Sequence, residues 1–191
     1  KNVSGIRYPY PYFSDEWTSV SLITYTISSK SLPIVNPLWF NSPFPDIVLP
    51  FHSFASELVL FLGLNPLTQY TLLTILFSML ICILIYFILR INNAGKLISG
   101  IASISTTYIV NGANLAGLWD FIPITMGIVC MLLGFFFMQT KNNKMILYLG
   151  FLTLIFYPPL FVLYPVGLLG YFFFKKIPEE RKIKYMLVYF G

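Results

Sequence analysis

Charge is what this sequence has least of. Aspartate, glutamate, lysine and arginine make up 10% of its 191 residues, where soluble domains carry about 25%. The scarcity is organised. No charged residue falls from Leu67 to Leu89, from Leu97 to Trp119, from Phe121 to Thr140 or from Met145 to Phe174. About 20 apolar residues cross a bilayer as a helix, because in lipid every backbone group must bond within its own segment. A chain this short cannot bury four such runs in a soluble core. The expected fold class is therefore all-α: a polytopic helical membrane protein.

Other absences narrow the chemistry. The two cysteines, Cys82 and Cys130, lie in different apolar runs, which excludes a disulfide framework and a thiolate metal cluster and leaves small apolar packing. There is one histidine, His52. Glycine-rich phosphate loops, HExxH, CxxC and GxSxG are all missing, so the common soluble-enzyme signatures do not apply. The net charge of +5 does not signal a nucleic-acid partner. Its basic residues sit in short hydrophilic breaks between apolar runs, where orientation signals belong. The lipid bilayer is the expected surrounding.

Proline and aromatic residues are plentiful, and unevenly placed. Seven of the 13 prolines (Pro9, Pro11, Pro33, Pro37, Pro43, Pro45 and Pro50) fall in the first 50 residues. Tyr8-Pro9-Tyr10-Pro11-Tyr12 reads as extended, since each proline fixes its own φ and biases its predecessor away from helix. Glu16 to Lys30 reads as a short amphipathic helix with Trp17, Val20, Ile23 and Ile27 on one side. Its β-branched residues and the alternation of Ile23, Tyr25 and Ile27 fit a strand as well, and periodicity leaves the choice open. Residues 33–50 read as loop. Phe51 to Leu64 is apolar but would rise only about 21 Å as a helix, so it is expected to lie at the membrane interface.

Residues 1–66 are thus expected as an external loop region containing short interfacial helices, and 67–191 as spans. These run about 67–91, 97–113, 119–138, 145–157 and 160–174, with another starting near 183. The last two should form a hairpin around Pro158-Pro159. The chain opens at Lys1 and closes inside an apolar run, and reads as a piece of a longer protein. Alternating the spans puts nine of the twelve basic residues on one side, leaving Lys1, Arg7 and Lys30 opposite. An excess of Lys and Arg marks the cytoplasmic face. The expected localisation is a multi-pass cell-membrane protein with residues 1–66 external, and Asp15, Glu16, Asp46, Glu57 and Asp120 then gather on or near the outer side.

Ser14-Asp15-Glu16-Trp17 is the most suggestive cluster. As structure, it is a helix start: Ser14 or Asp15 would cap backbone N–H groups and Glu16 would favour the helix dipole. As chemistry, an external carboxylate here could act as a general base towards a hydroxyl or amide, or hold a divalent cation. Asp120, beside Trp119, is either an interfacial residue in water or a wall of the same cavity as the first acids. His52 and Glu57 are five apart and do not stack on one helix face, so they make a poor metal pair. Arg7 is a solvated loop charge or a phosphate partner.

The order of these features resembles the front of the fold-C glycosyltransferases, which include protein O-mannosyltransferases, lipid A aminoarabinose transferases and the catalytic subunits of oligosaccharyltransferases. The resemblance runs from Asp15-Glu16 through Pro33-Ile34-Val35-Asn36-Pro37 and Leu49-Pro50-Phe51-His52 to Leu62-Gly63-Leu64-Asn65-Pro66 and a long span closing on Leu89-Arg90. Trp119-Asp120 and Tyr157-Pro158-Pro159 look similar to prokaryotic members. It implies transfer of a sugar from a polyprenyl-phosphate-linked donor to an acceptor on the outer face. Asp15 or Glu16 would be the catalytic base, Asp15 favoured for its shorter side chain. Arg7, Tyr12, Trp17, His52 and Asp120 would bind substrate. A transporter or channel subunit and a non-enzymatic assembly protein remain the alternatives from residue patterning.

Overall fold

The computed structural model describes residues 14–32, 47–106, 120–140 and 142–174. Among them are seven helices and no strands: α1 (Ser14–Ser29), α2 (Leu49–Leu62), α3 (Pro66–Ile91), α4 (Lys96–Ser105), α5 (Pro123–Gln139), α6 (Asn143–Phe156) and α7 (Pro158–Phe174). The all-α class is therefore shown. One helix of the described residues, α3, is long and apolar enough to cross a membrane, whereas the other apolar helices have 10–17 residues.

The helix limits follow from local chemistry. In α1 the open choice between helix and strand resolves as helix, with Asp15 and Glu16 in its first turn, where carboxylates offset the positive end of the dipole. Gly63, at φ 64°, ends α2: its N–H reaches the Leu60 carbonyl at 3.1 Å and Leu64 N–H reaches that of Val59 at 3.0 Å. Glycine takes this left-handed conformation without a Cβ penalty. Two residues later Asn65 caps α3, its Oδ1 accepting from Leu67 N–H at 2.9 Å. Gln69 Oε1 accepts from Asn65 N–H at 2.7 Å.

Two expected limits move. The run expected as a helix from Trp119 starts at Pro123 instead, because Ile122 is extended and proline, which lacks an N–H, fits the first helical position. Of the expected 97–113 span, α4 covers Lys96–Ser105, and the remainder lies outside the described residues beyond Thr106. The Pro158-Pro159 break is present: Tyr157, at φ −153° and ψ 88°, separates α6 from α7. Both prolines occupy the first turn of α7, where missing N–H groups leave no gap.

Helices α3 and α4 run antiparallel, as do α6 and α7. Cys82 Sγ on α3 lies 3.9 Å from Thr106 Oγ1 just past α4, and Tyr164 Oη on α7 donates to the Ile146 carbonyl near the start of α6 at 2.9 Å. By contrast, α5 and α7 run the same way. Gly127 lies against Tyr157 and Leu160, Gly134 beneath Tyr164, and Gly167 beneath Phe135. These glycines let the ring-bearing side chains of one helix lie on the backbone of the other. The two stretches divided at residue 66 share one core, since Val20, Ile23, Phe51 and Val59 pack with Tyr70, Phe77, Phe121 and Val129.

Direction and packing together gather one end of the molecule. Phe121 stacks on Phe77 at 4.5 Å and lies against Tyr70 and Phe51, while Phe54 meets Phe156 at 5.6 Å. The starts of α3, α5 and α7 therefore lie together with α2. Glu16 and Asp120 sit at this end. The opposite end carries Arg90, Lys96 and Lys144 at the α3–α4 and α5–α6 turns.

Candidate functional site

The buried polar groups of the acid end begin with α1. Its inward stripe is Glu16, Ser19, Val20, Ile23 and Ile27, a helical spacing of three and four. Glu16 is 3% exposed although it carries a carboxylate. Its neighbour Asp15 faces out, and Trp17, expected on the inward side, is half-buried at the stripe's edge. On α3 the matching stripe is Tyr70, Leu73, Thr74, Phe77, Ile81 and Leu84. Thr74 Oγ1 donates to Glu16 Oε1 at 2.9 Å, and the Ser19 hydroxyl bonds Tyr70.

The third side comes from the segment leading into α5. Phe121, fully buried among rings of α2 and α3, anchors the backbone on which Asp120 is carried. Tyr70 Oη donates to the Phe121 carbonyl, and Thr125 Oγ1 donates to the Asp120 carbonyl. Thr125 Oγ1 also accepts from Ile122 N–H at 3.4 Å, half of a reciprocal cap whose other half Ile122 has no oxygen to supply. Asp120 is thus held in place through its backbone by two hydroxyls. The residue is 3% exposed, and its Oδ1 has no hydrogen-bond partner among the described residues.

Burial drives the electrostatics of Asp120. Loss of water, followed by the charges of Glu16 and then Asp15, pushes its carboxyl up from 3.8 to about 7. Near neutral pH Asp120 therefore exists both with and without its proton. Thr74 donates to Glu16, and a donor on an acid oxygen favours the charged form. The arrangement is two buried carboxyl groups with unequal environments, which separates acid from base.

The structure brings two of the sequence-derived site residues together, Glu16 and Asp120, with Asp15 near enough for its charge to act. His52 belongs to a different environment. It is 2% exposed, edge-on to Phe51 at 5.5 Å, while Glu57 points outward. Arg7 and Tyr12 lie outside the described residues. Ser19, Tyr70, Thr74 and Thr125 were not singled out by sequence reasoning. Tyr70 and Thr74 carry one legible signal: they interrupt the inward stripe of α3 with hydroxyls near its start. Among the described residues no group of three or more His, Cys, Asp or Glu side chains is arranged to hold a metal ion. No family model, curated protein or solved structure matches the chain.

Proposed function

We propose that this chain belongs to a multi-pass membrane glycosyltransferase that moves a sugar from a polyprenyl-phosphate-linked donor to an acceptor at the acid end of the helix bundle. The observation that carries this reading is the burial of two acids at one end of the bundle, Glu16 on α1, bonded by Thr74 of the long apolar α3, and Asp120 in the lead-in to α5. A carboxylate fixed by a donated hydrogen bond is suited to deprotonating an acceptor. Buried acids are costly without such a task.

The outward faces support the membrane setting. Leu72, Ile75, Leu76, Met79 and Ile83 on α3, Leu97, Ile98 and Ile101 on α4, and Val162, Leu163 and Val166 on α7 are all exposed. Apolar surface on that scale requires lipid or a partner. Helices α5 and α7, of 17 residues each, rise about 25 Å, close to the thickness of a hydrocarbon core. Residues 1–66 would be external.

The experiment is turnover in the full-length protein, reconstituted in lipid with undecaprenyl-phosphate-linked mannose, glucose or aminoarabinose, reading release of undecaprenyl phosphate. Glu16→Gln should lower the rate by about 10²–10⁴ while Asp15→Asn stays close to wild type. Loss confined to Asp15→Asn would move the base back to the exposed acid, and equal turnover in both variants would remove the enzymatic reading. A proton-coupled transporter is the second reading, favoured by one observation: a buried carboxyl whose Oδ1 has no hydrogen-bond partner among the described residues is what a proton relay needs. Proton uptake coupled to solute flux, without release of undecaprenyl phosphate, would select it.

A further inference from the structure

We propose that Asp120 is the general acid of the same site, holding the proton of the Glu16–Asp120 pair and delivering it to the leaving phosphate while Glu16 takes the proton of the acceptor. The inference rests on the glycosyl-transfer reading. Three observations independent of that reading assign the roles. Thr74 donates to Glu16 Oε1 at 2.9 Å, and an oxygen that accepts in this way favours the ionised carboxylate. Asp120 Oδ1 is buried with no partner among the described residues, a setting that favours the neutral acid over the anion. Finally, Tyr70 holds the Phe121 carbonyl and Thr125 the Asp120 carbonyl, so the acid is positioned without either hydroxyl being spent on its carboxyl group.

The step balances. The acceptor oxygen bonds to the anomeric carbon, and the bond from that carbon to the donor phosphate oxygen breaks. Its electron pair stays on the phosphate. The acceptor's proton goes to Glu16, and the proton of Asp120 goes to the departing phosphate oxygen. The site then holds Glu16 protonated and Asp120 ionised, and one proton passing from the first to the second restores it. Leaving phosphate departs as a monoanion instead of a dianion, which matters in a site where unpaired negative charge already raises the cost of a further one. Among the described residues, the titratable groups that interact with Asp120 are Glu16 and Asp15 on α1 and Tyr70 on α3. His52 on α2 is one ring further away, beside Phe51.

Infrared difference spectra of the full-length protein in lipid nanodiscs, taken between pH 5 and pH 9, read the proton without turnover. In wild type a buried carboxylic C=O band should fade as pH rises through about 7. Asp120→Asn should lack the band, and Glu16→Gln should fade at lower pH, since the Glu16 charge helps hold the proton on. Turnover supplies the second arm. The wild-type rate should fall as pH rises through the same range, and Asp120→Asn should be about 10²–10⁴ slower with that fall gone. A purely structural Asp120 would leave the alkaline fall in place, which overturns the assignment. So does a neutral-range band surviving in Asp120→Asn. If the band behaves as expected but no donor releases undecaprenyl phosphate in wild type, the glycosyl-transfer reading fails and the general-acid role fails with it, leaving the proton-sharing pair.

Discussion

Asp120 makes the molecule's stability depend on pH in the direction opposite to most aspartates. A paired carboxylate usually has a lowered pKa, and its contribution disappears in acid. Here burial raises the folded value to about 7 from 3.8, so between these two values the folded state binds the extra proton. Stability is then fully present below about pH 4 and declines as pH rises through 7. At about 1.4 kcal/mol per pKa unit, the decline is at most about 4 kcal/mol. Thermal unfolding in detergent between pH 5 and pH 8 should show the wild-type midpoint falling and that of Asp120→Asn nearly flat, the variant being the more stable at pH 8. A wild-type midpoint that rises with pH would contradict the buried neutral acid. Half of this site was legible beforehand. Glu16 stands four residues before Val20 and seven before Ile23, which puts a carboxylate on the apolar stripe of α1. The expected stripe began at Trp17 instead. That Asp120 meets this carboxylate across about 100 residues of chain was one of the two readings open for it, and tertiary packing, which no local period encodes, decides between them.

Helix α5 is written for close approach, and its glycines set what the bundle tolerates. A Cβ on Gly134 would collide with Tyr164 Oη. Tyr164 could yield only by giving up its 2.9 Å bond to the Ile146 carbonyl and its stacking on Phe135. Gly134→Ala is expected to destabilise by about 1–3 kcal/mol from overpacking. Tyr164→Phe removes the hydroxyl and should cost about 1 kcal/mol alone. Their combination should cost less than the sum, a coupling that a double-mutant cycle on unfolding midpoints would read. Strict additivity would mean that the two residues do not touch. The helix limits were mostly readable from Asn65-Pro66, Gly63 and Pro158-Pro159, residues whose backbone preferences act locally. The start of α5 was misplaced because the apolar run continues through Phe121 and Ile122, and hydropathy cannot distinguish an extended apolar lead-in from a first helical turn. Pro123 held the missing information.

At the scale of the whole molecule, two separations coincide. Acids lie at the end where α3, α5 and α7 begin, and Arg90, Lys96 and Lys144 lie at the turns opposite. Between them the outward faces are apolar, as at Met79, 59% exposed, and Val162, 65% exposed. A soluble helical domain would place charge on those faces. In the proposed membrane reading the basic end is cytoplasmic, because Lys and Arg in short loops are retained on that side. Glu57 on α2 and Thr140 after α5 are both exposed and belong to opposite ends, so they report orientation directly. The background would carry Cys82→Ala and Cys130→Ala, since these free thiols are half-buried and buried. In intact cells a membrane-impermeant maleimide should label Glu57→Cys and spare Thr140→Cys until the membrane is opened. The reverse pattern would invert the topology and put the Glu16–Asp120 site on the cytoplasmic face, where a soluble nucleotide-linked donor could reach it. Labelling of both positions at equal rates in intact cells would remove the bilayer from between them, and the exposed apolar faces would then need a protein partner to cover them.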